Sequence, residues 1–277
     1  MRFFWVIFFV FFSSSNYAQD THYSLFESTN SLLNSSLISH QKNDYQIEVQ
    51  RRSQWFVIPK PFNTFSVSFN AKNIYKKISL GTTVLNDVSG DSYFSTDGLA
   101  LHISYLILKN NNNISVSLQA GSYQRSINYE SLIFLEDEIL GNNKKSFFDI
   151  GVSASNKIVL NEISTFLFGL SFYHLNTPDQ SFYSNEKVFL EKKHVLYLKY
   201  QKEINQKTAI MPSAYFSSQN QQKEFLIGGK YKYKINKFVD LDLGLYRRIE
   251  DAFIITLGLA KNNLQAQISY DINTSSL

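Results

Sequence analysis

Cysteine is absent from the 277 residues, so neither a disulfide framework nor a thiolate metal site is available. No strong excess of charge exists either: the net charge of +4 is too small to point to nucleic acid as a partner. Beyond residue 18 no apolar run approaches the roughly 20 residues that a membrane helix needs. Catalytic signatures are missing as well. There is no phosphate-binding glycine loop and no zinc-protease spacing. Gly151-Val152-Ser153-Ala154-Ser155 lacks the last glycine of a nucleophile elbow and lies in a strand-like stretch. His22, His40, His102, His174 and His194 are scattered without ligand spacing, so no metal or other cofactor is expected. Asp91, Asp97, Glu136, Asp137, Glu138 and His174 lie in or beside long connectors, which keeps a hydrolase at the rim of a barrel as a competing reading.

What is present is aromatic and alternating. Phe, Tyr and Trp make up 16% of the chain, yet its mean hydropathy is slightly negative. In a membrane barrel, lipid-facing and lumen-facing residues alternate and cancel in the average. Residues 253–272 have that pattern: Leu264, Ala266, Ile268, Tyr270 and Ile272 take one face, and Gln265, Gln267, Ser269 and Asp271 the other. A helical period would split the apolar set. Phe253, Ile255, Leu257 and Leu259 precede them, joined through Lys261-Asn262-Asn263, which makes a hairpin.

Residues 1–18 differ in kind. Arg2 is followed by ten apolar residues, Phe3 to Phe12, and then by Ser13-Ser14-Ser15-Asn16-Tyr17-Ala18. This reads as a secretory signal peptide cleaved after Ala18. An exported chain without a membrane helix can enter a bilayer only as a closed barrel, whose backbone groups pair between strands. The expected architecture is therefore all-β: a signal peptide at 1–18, an N-terminal periplasmic segment at 19–44, and a transmembrane antiparallel up-and-down β-barrel at 45–277.

Thirteen alternating segments are visible between Tyr45 and Ile272; the facing of the eighth is unclear, and Pro212 interrupts the ninth. Bacterial single-chain barrels use even numbers of strands. About 14 are expected here, with the last strand truncated; a wall completed by residues 20–40 is the alternative. Connectors alternate between long (51–61, 86–98, 125–146, 175–193) and short, as in outer-membrane barrels, whose long loops face outward and whose short turns face the periplasm. A soluble sandwich has no reason to segregate its loops in this way.

The short turns are rich in lysine, at 72–77, 109–113, 202–207, 234–237 and 261–263, and read either as solvated turns or as a docking face for a periplasmic partner. Lys230, Lys232, Asp240 and Asp242 share the expected lumen face. A register pairing Lys232 with Asp240 would pair Lys230 with Asp242. A lysine facing lipid at the midplane would cost about 2 to 4 kcal/mol.

Two further stretches carry a family resemblance. Arg52-Ser53-Gln54-Trp55, followed by Pro61 and Thr64, and Tyr270-Asp271-Ile272-Asn273, followed by Ser275-Ser276-Leu277, resemble elements of the PorP/SprF family of type IX secretion system outer-membrane proteins. Pro212-Ser213 and Gly228-Gly229 are similar in placement. Where the family usually carries Asn-Pro-Ala after the signal peptide, this chain has Asn34-Ser35-Ser36. The resemblance implies a non-enzymatic component of the outer membrane that assists secretion or surface anchoring of a large, gliding-type adhesin. The outer loops would contact the adhesin, and the lysine-rich turns would face the periplasmic secretion ring. Trp55 would anchor the rim at the lipid interface. A passive channel for small solutes is the alternative function.

Overall fold

The computed structural model describes residues 20, 23–55, 60–90, 92–108, 111–132 and 140–274. The signal peptide expected at 1–18 lies outside them, as do His22, Asp91, Glu136, Asp137, Glu138 and residues 275–277. Among the described residues, thirteen strands form one sheet in chain order, each antiparallel to the next. They are β1 (Tyr45–Gln54), β2 (Phe62–Tyr75), β3 (Ile78–Ser89), β4 (Phe94–Leu108), β5 (Asn112–Ser126), β6 (Lys144–Asn161) and β7 (Ser164–Tyr173). β8 (Lys193–Glu203), β9 (Thr208–Gln219), β10 (Gln222–Lys234), β11 (Val239–Arg248), β12 (Ala252–Lys261) and β13 (Leu264–Asn273) complete it. Among the described residues, no helix is long and apolar enough to cross a membrane.

The two faces of the sheet invert the usual sorting of a soluble protein. On β12, Phe253 and Ile255 are 39% and 48% exposed, whereas Ala252 and Ile254 are fully covered. In the middle of β5, Val116 and Leu118 are exposed, whereas Ser115, Ser117 and Gln119 are buried. Exposed apolar side chains continue from Val49 on β1, through Phe69, Leu101, Phe148 and Ile227, to Ile268 on β13. Such a band is stable in hydrocarbon and a liability in water. The polar face turns inward, where hydrogen bonds can satisfy it.

The structure corrects several details of the sequence reading. The connector expected at 86–98 is shorter, because β3 runs to Ser89 and β4 begins at Phe94; Gly90 follows β3 in the left-handed region at φ 67°. Polar residues without alternation extend the hairpin there, and Asn86 Nδ2 donates to Asp97 Oδ1 at 2.7 Å. On β8, Val195 and Tyr197 face inward. β9 runs through Pro212, and the β8–β9 pairing skips Tyr200 and Gln201, opposite the imino acid that has no N–H to donate. Residues 23–41 add no strand to the wall; they fold as three short helical turns, Phe26–Ser28, Asn30–Leu33 and Ser35–His40.

β1 and β13 are not hydrogen-bonded to each other. In an up-and-down sheet of thirteen strands these two edges run in the same direction. A direct ladder between them would be parallel in an otherwise antiparallel wall. Side chains nevertheless approach across the seam, with Arg52 Nη2 3.9 Å from Asp271 Oδ2.

Candidate functional site

The described part of segment 19–44 packs against the inward faces of the strands. Asn34 organises it. Its Oδ1 accepts from the N–H of Ser36 at 3.0 Å, capping the turn at Ser35–His40. Its Nδ2 donates to the carbonyls of Ala154 on β6 and Leu170 on β7, at 3.1 and 2.9 Å. Gly169 makes that approach possible, since a Cβ there would sit 2.9 Å from Nδ2. Short hydroxyls then interlock. Ser35 meets Ser117 at 2.8 Å, Ser39 meets Ser104 at 2.7 Å, and Ser31 donates to Asn70 at 2.7 Å. Asn34-Ser35-Ser36 thus builds a tight, fully buried turn.

The same segment also reaches the far strands. Ser28 donates to Gln267 at 2.6 Å and Ser24 to Asp271 at 2.7 Å, both on β13, while Asn30 donates to Glu48 on β1 at 3.2 Å. Phe26 sits among Tyr197, Tyr215 and Tyr246, with ring centroids 6.1, 5.5 and 5.5 Å away. Beside it, Glu27 Oε2 lies 3.0 Å from Lys199 Nζ and 3.2 Å from Lys230 Nζ. Burial pushes the Glu27 carboxyl up, but the two ammonium groups outweigh it and bring its pKa down to about 2. One segment therefore touches the wall from β1 to β13 and fills its concave side.

Two ionic clusters close the long-loop end. His174, just past β7 and in the left-handed region at φ 58°, faces a carboxylate from each ring nitrogen. Nε2 is 2.7 Å from Asp20 Oδ2 and Nδ1 is 3.0 Å from Asp149 Oδ1. Burial lowers the imidazole pKa, and Asp20 and Asp149 raise it by more, to about 9. Against the upward push of burial, His174 and Lys193 hold Asp20 well below the usual carboxylate range. In the second cluster, Arg248 on β11 binds Glu224 at 2.9 Å and Asp251 and Asp271 at 3.0 Å each. Arg52 approaches the same Asp271 oxygen.

These contacts sort the signature residues. Arg52 and Asp271, more than two hundred positions apart, converge on one cluster. Trp55, 50% exposed, packs on Phe62 with centroids 4.6 Å apart, and Tyr270 is 62% exposed on the outward face; neither joins the cluster. Gln54 closes the β1–β2 ladder opposite Phe62. Pro212-Ser213 and Gly228-Gly229 pair directly across β9 and β10, and a Cβ on Gly229 would sit 2.9 Å from Pro212 Cα.

Lys230, Lys232, Asp240 and Asp242 share the inward face, but in a register two residues away from the simplest one: Lys232 is opposite Asp242 and Lys234 opposite Asp240. Lys232 Nζ lies 3.6 and 3.5 Å from Asp240 and Asp242. Lys230 turns to Glu27 instead of Asp242. Asn34 is marked in the sequence only by the resemblance, and Glu27 and Asp20 not at all, because nothing along the chain announces that an N-terminal segment returns to strands two hundred positions later. A Ser/Asn-rich stretch followed by strands with serine on the inward positions was the one available signal.

Of the rim candidates, Asp97 bonds Asn86, whereas His174 takes Asp20 and Asp149. Ser153 is occupied by Ser35 and Ser117 within β6. His40 lies 3.0 Å from Ser115 and Ser155, with no carboxylate among its hydrogen-bond partners. The long connectors 127–143 and 174–192 are joined by the N–H of Asn142 to the carbonyl of Phe182 at 2.9 Å, and Lys145 at the start of β6 reaches Asp179 at 2.9 Å. Beside them a cleft of about 660 Å³ is lined by Asn86, Tyr93, Tyr129, Glu130 and Lys144, among others.

A family model described as type IX secretion system membrane protein PorP/SprF matches residues 15–277. No curated protein matches the chain.

Proposed function

The chain belongs to the PorP/SprF family of type IX secretion system membrane proteins, and from that membership we propose that it acts in the outer membrane as a non-enzymatic partner in secreting or surface-anchoring a large adhesin of the gliding type. The observation that carries this reading is a barrel-like wall with an apolar exterior whose interior is filled by its own N-terminal segment. A filled interior suits a protein that works through its ends. The linked connectors 127–143 and 174–192, with the cleft beside them, offer a surface of Tyr, Asn, Glu and Lys for an adhesin segment. At the other end, Lys207 and Lys237 stand exposed at the tips of short turns, where a periplasmic ring protein would dock.

The passive-channel reading fares less well, because hydrogen bonds and ion pairs tie residues 24–40 to strands on all sides of the space that solutes would need. Deleting the gene tests the proposal. One large adhesin should vanish from the cell surface while other outer-membrane proteins stay at their normal level. Retention of every adhesin would overturn the secretion role, and steady single-channel conductance of the purified protein would favour the channel.

A further inference from the structure

The lysines at the short-turn end fall into two sets with different directions. By strand alternation, Lys202 is on the outward face of β8, opposite the inward Val195, Tyr197 and Lys199, and pairs with Ile210, itself outward and opposite Tyr231. Lys261 ends the outward row Phe253, Ile255, Leu257 and Leu259 on β12 and pairs with Leu264, 79% exposed. In the β2–β3 turn, Lys76 Nζ lies 5.1 Å from the ring centre of the exposed Tyr75, and Lys77 Nζ donates to the carbonyl of Ile107 at 3.1 Å. Tyr75 pairs with Ile78 and Ile78 with Tyr105, so that ring continues the apolar exterior. Each of these four cations therefore sits where the apolar band ends, beside the side chains that form it. Among the described residues strictly between strand ends on this side, Glu162 is the only carboxylate; Glu203, next to Lys202, ends β8 on its inward alternation.

We infer that Lys76, Lys77, Lys202 and Lys261 form a headgroup-binding collar that selects anionic glycerophospholipids in the leaflet at the short-turn end. The physical reason is position. A lysine at the edge of an apolar band buries its stem against that band and extends its ammonium to headgroup level. There it meets phosphate at a depth where each cation favours an anionic lipid. Neighbouring tyrosine adds the amphipathic ring that prefers the same depth. A protein partner approaching along the barrel axis would instead meet the turn tips, Lys207 and Lys237. The inference rests on the wall lying in a bilayer and not on the secretion role, so the two can fail separately.

The test is lipid retention by the intact protein. The protein is reconstituted in discs of phosphatidylcholine with a minor fraction of phosphatidylglycerol, released into mild detergent, and weighed with its bound lipids by native mass spectrometry. Phosphatidylglycerol should be enriched over phosphatidylcholine, and each of K76Q, K77Q, K202Q and K261Q should reduce the enrichment by up to about five-fold. The double variant Lys207→Gln/Lys237→Gln should retain the wild-type preference. Heat-dependent migration in gels reports that each variant still forms the barrel. No enrichment in the wild type, or equal loss from collar and tip variants, would overturn the collar. So would a collar variant with unchanged lipid binding that no longer retains a periplasmic protein.

Discussion

Glu27 shows how a single residue holds the interior together. It is a buried carboxylate between two lysines of the wall, and removing one partner of such a group leaves uncompensated charge, at a cost of about 3 to 5 kcal/mol. Glu27→Ala is expected to free the N-terminal segment while the wall survives, which limited proteolysis reads as new cleavage between residues 20 and 44. At Gly229 the danger is crowding. A valine there would press on Pro212 across the ladder, and overpacking of this kind costs about 1 to 3 kcal/mol; the unfolding temperature in detergent should fall. His174 sets a pH dependence. Its pKa rises from 6.5 to about 9 in the folded protein, so its stabilising contacts with Asp20 and Asp149 are fully present below pH 6.5 and are lost as the pH climbs through 9. Proteolytic release of the N-terminal segment should therefore increase between pH 7 and 10, and His174→Gln should abolish that dependence.

At the scale of elements, the strands were legible and the lumen segment was not. Period-two alternation marks a strand whose faces meet different media, and from Phe253 to Ile272 it specifies strand, turn and facing together. It fails where both sides of a strand end are polar, as around Asn86 and Asp97, because alternation carries no signal there. The register of β10 on β11 also escaped, since charge pairing among Lys230, Lys232, Asp240 and Asp242 allows two registers, and in the folded chain Lys230 pairs with Glu27 from outside the hairpin. Residues 23–41 have no period because they do not bury one face; serine and asparagine side chains are satisfied in every direction by the wall. The expected consequence is a closed interior. Removing residues 20–41 from the mature chain should convert an electrically silent barrel into a conducting one in planar bilayers, and equal silence of both forms would show that this segment is not what closes it.

At the scale of the molecule, everything depends on which medium each face of the wall meets. The exposed apolar band, the buried serines and the cations at the band's edge have one common cause if the outward face lies in lipid. Spin labels placed one at a time from Phe253 to Ala260 on β12, in the reconstituted protein, measure this directly by comparing collision with oxygen, which concentrates in hydrocarbon, and with a water-soluble nickel complex. Labels at residues 253, 255, 257 and 259 should collide mainly with oxygen, and those at 254, 256, 258 and 260 with neither. Loss of the two-residue period, or nickel access at 255 and 257, would contradict a membrane-spanning wall.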